Sequence, residues 1–162
     1  MKNLFEWCLK QKEGIKRIKP NQKLCEEYQE KTTEDLKAAN LLFENKLYSW
    51  SIITCYYSMY HSATALLSLI GFKSKNHACT IACLNHIFEE TGKSKEKIDW
   101  INKSLKTKKE LIKAFSEAKK LREEVQYEIK DILPSLALSE LEISSQFIEE
   151  INLEIAKIKE KQ

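Results

Sequence analysis

Glycine and proline are scarce in this chain, at three and two residues in 162. Hairpins, tight loops and flexible linkers draw on both residue types, so a sheet-rich fold is excluded and long helices are favoured. Arginine is scarcer than its charge class suggests. Lysine supplies 25 of the 27 basic residues, leaving only Arg17 and Arg122. The net charge of +3 is spread along the chain rather than blocked. That argues against a protein that coats nucleic acid by charge alone. Glycine-rich phosphate loops and clustered catalytic carboxylates are also missing. The opening MKNLFEWCLKQKEG is charged and amphipathic, without the apolar core of a signal peptide. Five cysteines, an odd number without framework spacing, then read as free thiols in a reducing interior. The cytoplasm is the expected location.

What is present is a run of 26 residues, Leu47 to Phe72, with no charged side chain, in a chain that is 31% charged. At that length it could cross a bilayer. Its content points elsewhere: five Ser, two Thr, four Tyr, one His and one Cys. No Lys or Arg cluster marks one end. Ile52, Tyr56, Met59, Ala63, Leu66 and Ile70 form one apolar stripe at helical spacing, and Trp50, Thr54, Tyr57, His61, Thr64 and Ser68 form a second, more polar one. A lipid-facing helix has no use for a stripe of hydroxyls and imidazole. The run is therefore predicted to be the central helix of a soluble bundle, with no membrane partner.

The rest of the chain supplies its neighbours. A short helix over 2–12 is expected to turn Leu4, Trp7 and Cys8 inward. A long helix follows from Asn21 to about Asn45 through Leu24, Tyr28, Leu36, Ala39 and Leu42/Phe43. Gly71 suits the C′ position that ends the charge-free helix. A helix over 76–90 closes at Gly92, and Ser94 can cap a segment bearing Ile98, Trp100, Ile101 and Leu105. Another runs from about Lys108 to Leu133, where Pro134 breaks it. The last begins near Ser135 and carries Leu141, Ile148, Ile151, Ile155 and Ile158. No strand signal or repeat is visible. The expected fold is all-α, an up-and-down bundle of four to five long helices with a short N-terminal helix, in one domain spanning 1–162. Within it, 1–20 form an N-terminal extension, 21–133 the core and 135–162 the C-terminal helix.

Three groups could carry chemistry. Arg122 interrupts the stripe Leu111, Phe115, Ala118, Val125, Ile129, and a guanidinium keeps its charge when buried. Either it reaches the bundle edge or pairs with Glu123 or another Glu, or it is an anion-binding arginine facing a cleft or a subunit partner. Tyr57 and His61 stand one turn apart, and either satisfy each other inside the bundle or contact a ligand, since tyrosine stacks on bases and imidazole moves protons. Cys79, Cys83 and His86 lie on one helical face, with His77 ahead of them. A fourth ligand is not evident, and small cysteines commonly fill helix crossings. No metal and no cofactor are expected.

At these residues the chain resembles the HEPN domain family of small helical proteins. Y-S-W-S-I-I-T-C-Y-Y-S-M-Y-H-S-A-T-A-L-L is similar to the family's W-x(5)-A-Y-Y-x-M-x-H-A-A-x-A-L-L. G-F-K-S-K-N-H is similar to its G-x-x-x-K-x-H, and L-R-E-E-V-Q-Y to its L-R-x-x-A-D-Y. The segment W-C-L-K-Q-K-E-G-I-K-R-I-K-P-N resembles an extension carried by an archaeal branch. The likeness covers most of residues 5 to 130. It implies a helical bundle that dimerises, and many members are metal-independent RNases or toxins encoded beside a minimal nucleotidyltransferase. Their catalytic signature is Arg-x(4–6)-His, brought together from two subunits. Here that signature is absent. After Arg122 the histidine's positions hold Tyr127, Glu128 and Ile129, and after Arg17 they hold Gln22, Lys23 and Leu24. A tyrosine is a poor base at neutral pH.

The resemblance thus implies a non-catalytic, homodimeric module using Arg122, Tyr57 and His61 to contact RNA, a nucleotide or a nucleotidyltransferase partner. The alternative is an RNase of a toxin–antitoxin pair with a rearranged site, His61 or His77 standing beside Arg122. A third reading makes the region around Arg122 a sealed dimer interface. Tyr127 lies about 140° round the helix from Arg122, and is a candidate acceptor for nucleotidylation by the partner.

Overall fold

The computed structural model describes residues 2–91, 98–128 and 131–161, with side chains described over 4–90, 108–128 and 131–161. In these residues the order is α1 (Lys2–Lys10), β1 (Ile15–Arg17), α2 (Gln22–Glu44), α3 (Tyr48–Leu69), β2 (Phe72–Ser74), α4 (His77–Thr91), α5 (Ile98–Tyr127) and α6 (Pro134–Lys159). The expected all-α bundle is present, with α3 at its centre. The charge-free helix packs against α2, α4, α5 and α6. Ile52, Tyr56, Met59, Ala63 and Leu66 are buried, as their spacing requires, while Ile70, which caps the helix end, is half-buried. No described helix is long and apolar enough to cross a membrane.

Each α3 boundary has a local cause. Asn45 caps α2, and Lys46 enters the left-handed region at φ 60. The Leu47 amide then reaches Leu42 O and the Lys46 amide reaches Phe43 O, each at 2.9 Å, the paired bonds of a Schellman turn. That turn folds α2 back along α3. Cys25, Thr32 and Ala39, small residues seven apart, form the buried row of α2, and Ser51 Oγ donates to Ala39 O at 2.9 Å. At the far end Gly71 takes φ +88, and a Cβ there would stand 2.8 Å from Ile18 O. Only glycine can make this turn cheaply.

Several expectations need correction. Beyond Gly71 the chain pairs β2 with β1 in a two-stranded antiparallel sheet, Lys16 opposite Lys73. Three-residue strands are too short to leave an alternating pattern. The segments predicted over 94–105 and 108–133 join into one helix, α5, because neither Gly nor Pro interrupts 98–127. Gly92, Ser94 and Ile129 lie outside the described residues, as do the side chains of Ile98, Trp100, Ile101 and Leu105. Pro134 begins α6 instead of merely separating two helices, its missing N–H costing nothing at the first helical position. On α1 it is Phe5 and Cys8 that face inward, while Leu4 and Trp7 are exposed.

The cysteines are not all free. Cys8 and Cys79 form a disulfide across 71 residues, leaving Cys25, Cys55 and Cys83 as buried thiols. Packing of α1 on α4 brings the two together, with a Cα separation of 5.6 Å. No sequence spacing announces such a long-range pair. The disulfide removes the free-thiol argument for a reducing compartment. Burial raises the Cys83 thiol to about 12 and the Cys55 thiol to about 11.

Candidate functional site

Helices α2 and α5 flank α3 without touching each other among the described residues. A strip of α3 is therefore left open between them, and Trp50, Thr54, Tyr57 and His61 lie along it. The strip closes at Thr64 and Ser68, whose hydroxyls are buried and donate to Tyr60 O and Ala65 O of the helix itself. These two, like Thr54, bond back to their own helix, as mid-helix Ser and Thr often do, which leaves Trp50, Tyr57 and His61 as the stripe members whose side chains are open to other partners.

Arg122 comes down on this strip from α5. Its side chain is only 7% exposed, and its guanidinium carbon lies 4.9 Å over the Tyr56 ring and 5.8 Å from that of Tyr57. Nη1 donates to the neutral Gln126 Oε1 at 3.1 Å, while Nε is buried without a partner. Among the described residues no carboxylate pairs with it. Glu123, the obvious neighbour, accepts from Lys119 Nζ at 2.6 Å, which holds the Glu123 carboxyl below its usual range. Arg122 therefore lies inside the stripe with a neutral hydrogen-bond partner, and no described carboxylate neutralises it. A buried cation with an unsatisfied N–H is costly.

Two imidazoles flank Tyr57 and Tyr60, each held by a different partner. Tyr56 Oη and His77 Nδ1 are 2.6 Å apart. Burial raises the Tyr56 hydroxyl against the pull of the Arg122 charge, so the phenol keeps its proton and donates. Desolvation first, then the charges of Arg122 and Lys119, lower His77 and favour neutral imidazole. Its remaining proton is then on Nε2, a donor. His61 Nδ1 lies 2.6 Å from Asp35 Oδ2, and Lys31 sits 3.4 Å from the other Asp35 oxygen. The carboxylate accepts from Nδ1–H, which fixes the ring's orientation and turns Nε2 away from Asp35. Tyr60 touches both rings, at 5.5 Å from His61 and 4.3 Å from His77. Tyr57 does the same at 6.3 and 6.0 Å.

The structure thus gathers Arg122, Tyr57, His61 and His77 from three helices. It leaves Tyr127 out, 76% exposed on another side of α5. Cys79 is consumed by the disulfide, Cys83 is buried, and His86 stacks on Phe5 at 3.8 Å. No described group of three or more His, Cys, Asp or Glu is placed to hold a metal.

Against known families, the HEPN domain model matches residues 25–154. The chain belongs to the HEPN domain family. That match starts within α2 and ends within α6, so it includes every helix that lines the strip. A Methanocaldococcus jannaschii protein named "Putative toxin" is 42% identical over 59 residues, 36% of this chain and 44% of that protein. A UPF0332 protein of Pyrococcus horikoshii is 41% identical over 61 residues, 38% and 43% of the two chains. These two matches span less than half of either relative. A UPF0332 protein of Archaeoglobus fulgidus is 33% identical over 121 residues, 74% of this chain and 83% of that one.

Asp35, Tyr56 and Tyr60 are the members of this HEPN site that sequence reading missed. Tyr56 was hidden by its place in the apolar stripe. Asp35 had a signal. With Tyr28, Thr32 and Ala39 it forms a 4-3-4 row, and an acid in an inward row raises the same question as Arg122.

Proposed function

We propose that this HEPN domain is a binding module for phosphate esters, either single-stranded RNA or a nucleotide, seated on the α3 strip between α2 and α5. The carrying observation is the buried Arg122 with its unpartnered Nε, poised over Tyr56 and Tyr57. A phosphate would supply the anion that the described residues do not, and the Tyr57 ring offers a face for a base. His77 would add a neutral N–H donor. The family resemblance adds a homodimer and a minimal nucleotidyltransferase partner to this reading.

The test is fluorescence anisotropy with labelled oligouridylate and with a labelled adenine nucleotide, for wild type and Arg122→Ala. Charge-assisted hydrogen bonds of this kind are worth about 1.5–3 kcal/mol, so a loss of about tenfold to hundredfold is expected. Equal and negligible binding by both proteins removes the proposal.

The Asp35–His61 pair favours a second reading, metal-independent RNA cleavage. His61 Nε2 would take the 2′-hydroxyl proton, the freed oxygen would attack phosphorus, and the bond to the 5′-oxygen would break to leave a cyclic phosphate, the 5′-oxygen taking a proton from water to leave as the hydroxyl. Arg122 and His77 would hold the phosphoryl oxygens. Cleavage in chelator that is lost in His61→Ala and strongly reduced in Asp35→Asn supports it. Unchanged cleavage in both variants assigns the activity elsewhere.

A further inference from the structure

The open strip of α3 does not begin at Tyr57. Trp50 stands seven residues earlier, only about 20° off Tyr57 round the helix and about 10 Å along it. Its ring is 60% exposed, whereas His61 in the same strip has 19% of its side chain exposed and Thr64 is buried. The strip therefore deepens from an open indole to the enclosed imidazole, with Arg122 over its middle. Trp7 is exposed as well, at 51%, but it lies on α1, which among the described residues packs on α4 and, through Phe5, on the β1–β2 sheet rather than on α5. An exposed indole is costly to leave in water and suited to stacking.

We infer that Trp50 is a base-stacking platform for a single-stranded RNA whose phosphate lies at Arg122. This deepens the binding function proposed above and rests on it. The occupant is argued from charge and spacing together. Arg122 has no anionic partner among the described residues, and the aromatic rings before and beneath it are separated along α3 by about 10 Å. A polynucleotide presents phosphates and flat rings in regular alternation, which matches a cation over the Tyr57 ring with a second ring, Trp50, about 10 Å further along the helix. A mononucleotide has one base and cannot reach both Tyr57 and Trp50. The indole thus sets a preference for strands over single nucleotides, with little preference among bases because every base has a stacking face.

The experiment compares an eight-nucleotide oligouridylate with uridine 3′-monophosphate on full-length wild type, Trp50→Ala, Trp50→Phe and Arg122→Ala. Trp50→Ala should weaken the octamer about five- to hundredfold and leave the mononucleotide within twofold. Trp50→Phe should recover most of the octamer affinity, and Arg122→Ala should weaken both probes. Octamer binding that ignores Trp50→Ala while responding to Arg122→Ala overturns the platform and leaves the phosphate site standing. Failure of both probes to bind the wild type overturns both. Sedimentation velocity of the same samples supplies the remaining contrast. A dimer that becomes monomeric in Trp50→Ala would assign the indole to a second copy of this chain and overturn the inference.

Discussion

Replacing Arg122 with methionine distinguishes an arginine kept for binding from one kept for folding. The side chain lies in the buried row of α5 between Ala118 and Val125. Burying a guanidinium costs several kcal/mol even after relaxation, and the unsatisfied Nε adds about 1–3 kcal/mol. The aromatic contacts with Tyr56 and Tyr57 return about 1–2 kcal/mol each, and the Gln126 bond returns about 1.5–3 kcal/mol. The favourable and unfavourable contributions nearly cancel, so the residue should contribute little to stability. Methionine retains the length and apolar stem, and its sulfur suits the face of Tyr56. Arg122→Met should therefore leave stability unchanged or raise it by up to about 2 kcal/mol. Urea unfolding followed by circular dichroism measures this, with an unchanged m-value as the check on two-state behaviour. Phosphate binding by the same variant should fall as far as in Arg122→Ala. A stability loss above about 2 kcal/mol would refute the reasoning, because it would make the arginine a structural element.

Two further outcomes test the frame around the site. Reducing the Cys8–Cys79 disulfide frees a loop of 71 residues. Loop-closure entropy sets the loss at about 4 kcal/mol, read as a shifted urea midpoint with and without a dithiol; a change below about 1 kcal/mol would mean that α1 holds its place by packing alone. His77 is lowered in the folded protein by desolvation and by Arg122 and Lys119, with Glu123 opposing. The unfolded chain therefore takes up the proton first, and stability should decline as pH drops from about 6.5 through the lower folded value. The decline should be shallower in His77→Gln, and parallel curves for the two proteins would exclude His77 as its source.

How much of this was legible depended on the range of the cause. The 26-residue uncharged run, its buried stripe, the αL turn at Gly71 and the stop at Asn45 are local, set by side-chain periodicity and backbone sterics within a few residues. They were readable without a partner in view. Arg122 was conspicuous for the same reason, an ionic side chain in an apolar period. The β1–β2 pairing, the Cys8–Cys79 bridge and the inward turn of Phe5 instead of Trp7 depend on which helix α1 meets. That is decided by contacts between segments far apart in the chain.

The sequence alone determined an all-α protein of the HEPN kind, with a charge-free central helix and an arginine out of place on α5. Only the tertiary structure decided what that arginine meets. That no described carboxylate reaches it is a fact of space, and no spacing rule reports it. The orientations of His61 and His77 were set in the same way, by Asp35 on α2 and Tyr56 on α3. A hydrogen bond chooses an imidazole's tautomer only once the other helix is beside it.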